Sequence, residues 1–195
     1  MATLSYEPVI SEEHASGMAK KRLGDILYER REIACLGEID AEMVNSLIMQ
    51  LRYLELTDPG REITIIVNSP GGSVDSGLAL YDVMKGISSP IRTVCVGIAA
   101  SMGALLFASG DKRQILPHGR VMIHDPLITQ TGGNALALKT ISDSLMETRQ
   151  ITAEILAKDT GKTIDEILDK TRSDCWFNAS EAVDFNLADE IIETI

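Results

Sequence analysis

The sequence has few cysteines, few aromatic residues and fewer basic than acidic side chains. Its three cysteines are an odd number and show no C-x-x-C spacing, which argues against a disulfide framework and a zinc site. The acidic excess gives a formal net charge of −11, whereas proteins that bind nucleic-acid phosphates carry clustered lysine and arginine. We therefore expect no metal, no nucleic-acid partner and a reducing, cytoplasmic compartment.

The chain also has no long uninterrupted hydrophobic run. Its most apolar window, Val94 to Ala108, contains glycine and serine and is too short for a membrane span. No basic region followed by an apolar stretch stands at the N-terminus, so we expect no secretory signal and no membrane partner. With 195 residues, 45% of them hydrophobic, the chain is large enough for one globular core that buries about 70% of the unfolded surface.

Strand-like and helix-like segments alternate along most of the sequence. Strands are predicted at 31–37, 62–68, 92–97, 113–116, 119–124 and 189–193, and helices at 21–30, 40–57, 74–87 and 96–107. This alternation indicates an α/β fold with parallel strands joined by right-handed crossovers. Residues 1–19 show no sustained period and are interpreted as a flexible N-terminal arm, which leaves residues 20–195 as a single domain.

A long amphipathic helix is predicted over residues 134–158. Its apolar residues fall on one stripe, and about 25 residues at 1.5 Å each give a length of about 37 Å. A helix of this length either spans the domain or projects towards another subunit. The spacing of Thr163 and Glu166 predicts a capping box for the next helix, and Asn178 or Ser180 is expected to cap the last one.

The segment "NSPGGS", residues 68–73, places two adjacent glycines between a predicted strand and a predicted helix. Such a pair lets the backbone approach a ligand closely and direct its N–H groups outward, although a tight strand-to-helix turn has the same pattern. The segment matches neither of the glycine-rich nucleotide-binding patterns, so nucleotide binding is not expected.

Three polar residues stand in apolar surroundings and are candidates for chemistry. Ser101 lies in the small, apolar run "VGIAASMGALLF", where it is either a nucleophile or a buried serine bonded to a nearby carbonyl. His124 ends an apolar strand before an Asp-Pro turn and is either functional or a satisfied core histidine. Asp174 leads into the single tryptophan, but the residues alone do not favour it over Asp125 or Asp189.

Three blocks taken together resemble the proteolytic subunits of Clp proteases: "NSPGG", "GIAASMGA" and "RVMIHDPL", in this order. The resemblance extends from about residue 33 through the segment "SEAVDFNLADEII", residues 180–192. It implies a crotonase-like, Clp protease-like fold of repeated β-α-β units, with a projecting handle at about 129–158 that consists of the long helix and an adjacent strand. It also implies that residues 20–195 form the catalytic domain.

The resemblance implies a serine endopeptidase that degrades unfolded polypeptides. Carried onto matching positions, the nucleophile is Ser101, the general base His124 and the orienting acid Asp174. The oxyanion donors are the backbone N–H groups of Gly72 and Met102. The order Ser, His, Asp differs from that of α/β-hydrolases, chymotrypsin and subtilisin, but a triad is defined by geometry and role.

Substrate binding and assembly are implied by the same resemblance. Gly71, Gly132 and Gly133 fall at substrate-binding positions, the last two in a strand that would pair with the substrate backbone. The chain would form a homo-oligomer of two stacked heptameric rings and would bind no cofactor itself. ATP would be used by a partner, an AAA+ unfoldase.

Some positions depart from the family pattern. Thr64, Ile66 and Gly86 replace aromatic residues of the cleft that receives the unfoldase, so the docking site is atypical. Ser173 stands where an arginine commonly pairs across the ring interface.

Two alternative functions remain open from the sequence. One is a catalytically silent ring subunit of the same family. The other is a crotonase-type acyl-CoA enzyme, which an inert Ser101 combined with thioester binding would favour. A pure binding module leaves the three polar residues unexplained.

Overall fold

The computed structural model describes residues 9–14, 17–128 and 132–195. Its strands are β1 (Val9–His14), β2 (Gly17–Arg22), β3 (Glu32–Ile39), β4 (Ile63–Gly72), β5 (Ile91–Ala100), β6 (Lys112–Ile115), β7 (Arg120–Ile123), β8 (Cys175–Phe177) and β9 (Glu190–Ile191). Its helices are α1 (Leu23–Glu29), α2 (Ala41–Thr57), α3 (Val74–Gly86), α4 (Met102–Ala108), α5 (Ala135–Thr160), α6 (Ile164–Lys170) and α7 (Ala179–Asp184). The predicted α/β class is confirmed.

The main sheet is largely parallel, with the strand order β3-β4-β5-β6-β9. Strand β5 changes its neighbour halfway along: its first half pairs with β6, and its last three residues pair with β7. Strand β7 in turn pairs antiparallel with β8. The C-terminal end of β5 is therefore joined to β4 on one side and to β7 and β8 on the other, and these ends carry the candidate residues.

The core lies between this sheet and its helices. Alternate residues of β4, namely Ile63, Ile65 and Val67, are buried, as their β-branched side chains favour. Every residue of α4 is buried, so this helix runs through the interior. Burial of each large apolar side chain contributes about 1.5–3 kcal/mol, and the core therefore fixes the end of β5 where it enters α4.

Helix α5 confirms the long helix predicted at 134–158. Asn134 accepts a hydrogen bond from the N–H of Ala137 at its start, and Gly161, with φ +70°, ends it. Its buried residues lie in the C-terminal half, whereas Leu136 in the first turn is 77% exposed. The N-terminal half therefore projects from the body of the molecule. Among the described residues, none of the helices combines the length and apolar character that crossing a bilayer requires.

The predicted irregular arm is wrong for part of residues 1–19. Strands β1 and β2 pair antiparallel from Val9 with Arg22 to His14 with Gly17, while residues 1–8 and 15–16 lie outside the described residues. The two strands show no regular alternation of apolar and polar side chains, and this is why the sequence pattern did not predict the hairpin.

The helix predicted at 96–107 is also partly wrong. Residues 96–100 continue strand β5, and only Met102–Ala108 is helical. Because the run consists almost entirely of small and apolar residues, it has no apolar period that distinguishes a strand from a helix.

Candidate active site

Ser101 lies at the sharp turn between β5 and α4. Its backbone has φ +55° and ψ −123°, a conformation that costs a non-glycine residue about 1–3 kcal/mol. The surrounding hydrogen bonds hold it there: its N–H donates to the carbonyl of Met122 over 2.8 Å, and its own carbonyl accepts from the N–H groups of Ala104 and Leu105. The side chain is thereby presented at the end of the sheet while the following helix stays buried.

The two glycines that end β4 are both closely packed, and the first of them lies against this turn. Gly71 has φ +98°, and a Cβ there would lie 2.7 Å from both the Ala100 carbonyl oxygen and the Ser101 Cβ. At Gly72 a Cβ would lie 2.2 Å from the carbonyl oxygen of Ile39. Only glycine allows the backbone to approach so closely. The turn that carries Ser101 therefore explains Gly71, whereas the close approach of Ile39 explains Gly72.

His124 follows directly after β7 and bridges two side chains. Its Nε2 lies 2.8 Å from Ser101 Oγ, and its Nδ1 lies 3.2 Å from Asp174 Oδ1. The imidazole is 15% exposed, whereas the Asp174 side chain is 63% exposed. The structure thus brings together all three residues that the sequence singled out, and they come from three different connections at the same end of the sheet.

The structure also distinguishes Asp174 from the two carboxylates that the sequence left open. Asp125 pairs with Arg149 over 2.6 Å. Asp189 pairs with Arg113. Burial raises the pKa of Asp189, but its hydrogen bonds to Arg113 and the charge of Arg113 outweigh this and hold the pKa below its usual value. Both competitors have a cationic partner elsewhere, and Asp174 is the carboxylate of these three that contacts the imidazole.

The expected oxyanion donors lie beside the serine. Met102 is the first residue of α4, where a backbone N–H has no acceptor within its own helix. A Cβ on Gly71 would lie 3.1 Å from the Met102 nitrogen, so the Gly71–Gly72 backbone runs alongside this N–H. The roles of Gly72 and Met102 as oxyanion donors remain predictions.

Two depressions open next to these residues. A cavity of about 30 Å³ is lined by Ser101, His124, Val74 and Pro126, with Thr152 and Leu156 from α5. A groove of about 470 Å³ shares Val74 and Pro126 with it and continues along α5 past Thr148. An extended chain that reaches Ser101 therefore has room beside it on one face of α5.

The two other glycines implied for substrate binding are placed differently from the prediction. Gly132 and Gly133 lie in the turn before α5 and are not part of a strand, while residues 129–131 lie outside the described residues. Gly133 has φ +137°, which does not continue an extended strand, and Asn134 begins the cap of α5. A contact of these two glycines with substrate remains a prediction.

Cys35 and Cys95 are free and buried. Burial raises the pKa of the Cys35 and Cys95 thiols to about 11, so both are neutral, as expected for small hydrophobic core residues. In the described part of the chain, no three His, Cys, Asp or Glu side chains are grouped as metal ligands.

Sequence reasoning missed Arg149 and Thr171, which hold the residue after His124. Thr171 Oγ1 donates to Asp125 Oδ1 over 2.6 Å, and Arg149 Nε donates to Asp125 Oδ2 over 2.6 Å. Thr171 lies 46 positions and Arg149 lies 24 positions from Asp125, and no local spacing in the sequence connects them.

Comparison with known proteins agrees with the geometry. The profile of the Clp protease family matches residues 15–195. The chain is 39% identical over 176 residues to the ATP-dependent Clp protease proteolytic subunit 1 of Protochlamydia amoebophila strain UWE25. That alignment covers 89% of this chain and 85% of the relative, so the similarity extends over nearly the whole of both proteins.

Proposed function

Because this chain belongs to the Clp protease family, we propose that it is a serine endopeptidase in which Ser101, His124 and Asp174 form the catalytic triad. Family membership implies a serine peptidase. The observation that carries the assignment to residues is the imidazole of His124, which lies within hydrogen-bond reach of Ser101 on one side and Asp174 on the other.

The acylation step follows from these distances. A serine hydroxyl is a poor nucleophile until a base accepts its proton, and His124 Nε2 lies 2.8 Å from Ser101 Oγ. As Oγ bonds to the peptide carbonyl carbon, its proton passes to Nε2. The imidazolium then gives this proton to the leaving amine as the C–N bond breaks, and an acyl-enzyme remains. Water then attacks the ester carbon and gives a proton to the same nitrogen; as the C–Oγ bond breaks, the imidazolium returns this proton to Oγ, which releases the second product and the free serine.

Asp174 and the backbone N–H groups stabilise charge during these steps. The Asp174 carboxylate holds the proton on Nδ1, which leaves Nε2 free to act as the base, and it stabilises the imidazolium. The N–H groups of Gly72 and Met102 would bind the oxyanion, and loss of one such donor typically lowers the rate by about 10²–10³-fold. No cofactor is required for this chemistry.

The relative's name points to the context in which this subunit acts. It describes a proteolytic subunit of an ATP-dependent protease. We propose that this chain likewise forms a homo-oligomer of two stacked heptameric rings, receives unfolded polypeptides and works with an AAA+ ATPase. The projecting, largely exposed first half of α5 supports assembly. Light scattering is expected to give an oligomeric mass, and a monomeric mass at working concentration would contradict this assembly.

Docking of the ATPase is expected to be atypical. Thr64, at a position where the family has an aromatic residue, is buried and accepts a hydrogen bond from Arg92 over 3.0 Å. Arg92 also lies 3.7 Å from Glu62. A polar cluster therefore stands at a position where the resemblance places a hydrophobic cleft.

Active-site labelling tests the proposed function most directly. A fluorophosphonate probe is expected to modify Ser101, as shown by peptide mass mapping, and labelling should be lost in Ser101→Ala and His124→Ala. Ser101→Ala should also abolish peptide hydrolysis while the oligomer remains intact. Absence of labelling in the assembled wild-type protein would contradict the assignment. The silent-subunit and acyl-CoA alternatives are not favoured by the comparisons.

A further inference from the structure

We propose that Arg149 on α5 is a positioning residue for the catalytic pair His124 and Asp174, acting through Asp125 and Thr171. This inference rests on the proposed function. It concerns the residues that keep the base and its acid facing each other, because the contact between them is the weakest of the site: 3.2 Å, with an aspartate side chain that is 63% exposed.

His124 and Asp174 are carried by two chain segments that are joined on both sides of the histidine. Before it, Ile123 pairs with Cys175 in the antiparallel ladder of β7 and β8. After it, the N–H of Asp125 donates to the carbonyl of Thr171 over 2.7 Å. The segment 123–125 is thereby fastened to the segment 171–175 at each end, and the imidazole and carboxylate face each other between the two links.

The second of these links depends on a charged side chain. The Asp125 carboxylate accepts from Thr171 Oγ1 through Oδ1 and from Arg149 Nε through Oδ2, each over 2.6 Å. Arg149 Nη2 also donates to the carbonyl of Leu168 over 3.3 Å, in the last turn of α6. One guanidinium therefore binds both the segment after His124 and the helix that leads towards Asp174.

The ion pair is enclosed enough for its loss to matter. The side chains of Arg149 and Asp125 are 24% and 29% exposed, and Thr171 is 4% exposed. Removal of one partner of a sheltered pair leaves the other charge without compensation, which costs more than removal of both. Without Arg149, the Asp125 carboxylate would have to turn towards solvent to be hydrated. The backbone of residues 123–125, which includes His124, would shift with it.

This arrangement also connects α5 to the reaction. Thr148 and Thr152, on either side of Arg149 along the helix, line the groove and the cavity at the site. The helix that borders the substrate groove thus also holds the base in place. A displacement of about 1 Å at a catalytic group is enough to lower a rate by about 10²-fold, so a modest shift of this segment has a measurable effect.

Kinetics of fluorophosphonate inactivation separate positioning from binding. In Arg149→Gln we expect the maximal inactivation rate constant and the kcat for a small peptide to fall by about 10–100-fold, while KI and KM stay within about twofold. Lys139→Gln is the matched control, because it removes a cation from an exposed pair with Asp143 on the same helix and should change none of these constants. Light scattering on each variant verifies that the oligomer is intact.

Two further comparisons identify the path through Asp125 and Thr171. The double variant Asp125→Asn with Arg149→Gln should recover part of the lost kcat, since neither charge is left uncompensated. Thr171→Val removes the donor to Asp125 at nearly constant volume and should lower kcat, whereas Thr171→Ser keeps the donor and should retain it. The threonine pair also tests the inference if Arg149→Gln does not fold.

The outcomes that overturn the inference are distinct from those that overturn the function. If wild type labels at Ser101 and Arg149→Gln and Thr171→Val behave like Lys139→Gln, the positioning role is wrong and the proposed function stands. A loss that appears only in KM, or strictly additive losses in the double variant, would also contradict it. Failure of the wild type to label at Ser101 would overturn the proposed function and this inference together.

Discussion

The two ends of the candidate triad are built differently. At Ser101, a strained backbone is held by hydrogen bonds to Met122 and α4 and by glycine contacts that allow no additional atom. At Asp174, an exposed side chain in a short connection meets His124 at 3.2 Å. The proposed nucleophile is therefore fixed by the packed core, whereas the proposed orienting acid depends on the surface segments that carry it.

This difference predicts unequal losses when the triad residues are removed. His124→Ala should lower kcat/KM by about 10⁵–10⁶-fold, the range typical for loss of the base of a serine peptidase. Asp174→Ala should cost about 10²–10⁴-fold, because an exposed carboxylate contributes less to orientation than an enclosed one. The measurement is kcat/KM for a fluorogenic peptide with assembled protein. Equal losses in the two variants would show that the two ends do not differ in this way.

A change in the packing around Ser101 should strongly lower both stability and kcat. Gly71→Ala places a methyl group 2.7 Å from the Ser101 Cβ at a residue with φ +98°, so either the loop or the serine must move. We expect a loss of about 2–4 kcal/mol in the free energy of unfolding and a fall of about 10²-fold in kcat.

Gly86→Ala is the control for this substitution. Gly86 ends α3, has no positive φ and has no neighbouring atom within 4 Å of an added Cβ. The variant should be unchanged in kcat and more stable by up to about 1 kcal/mol, since alanine favours the helix. If both alanine variants had the same denaturation midpoint and the same kcat as wild type, the serine turn would not be rigid.

The sequence was sufficient to predict which side chains form the candidate site. Ser101 and His124 are candidates from the residues around them, whereas Asp174 is assigned only through the resemblance to the Clp protease family. Most of the strands and the long helix that carry these residues follow from the hydrophobic period. The backbone at Ser101 was not predictable, because its positive φ arises from contacts with β4 and β7. The choice between Asp174 and Asp125 likewise depends on Arg149, a residue 24 positions away on a helix whose approach only the folded chain defines.

At the opposite end of β5, by contrast, the carboxylate of Glu55 has a structural role. Ser88 and Ser89 precede β5, and both donate through hydroxyl and backbone N–H groups to Glu55, over 2.5–3.0 Å. The hydrogen bonds from Ser88, followed by those from Ser89, lower the pKa of Glu55 from 4.5 to about 2. This carboxylate is therefore held in its charged form by fixed donors.

The smallest predicted effect is a change in the pH dependence of stability. Since the folded-state pKa of Glu55 lies below its unfolded value, the stabilisation is complete above about pH 5 and is lost as pH falls through 4.5 towards 2. Glu55→Gln should lower the denaturation midpoint at pH 7, and the difference from wild type should shrink to near zero at pH 2. Labelling of Ser101 at pH 7 should be unaffected, because the substitution lies at the far end of β5. A difference in midpoint that stays constant from pH 7 to pH 2 would mean that the hydrogen bonds from Ser88 and Ser89 do not depend on the charge of Glu55. Glu55 would then no longer serve as the structural contrast to Asp174.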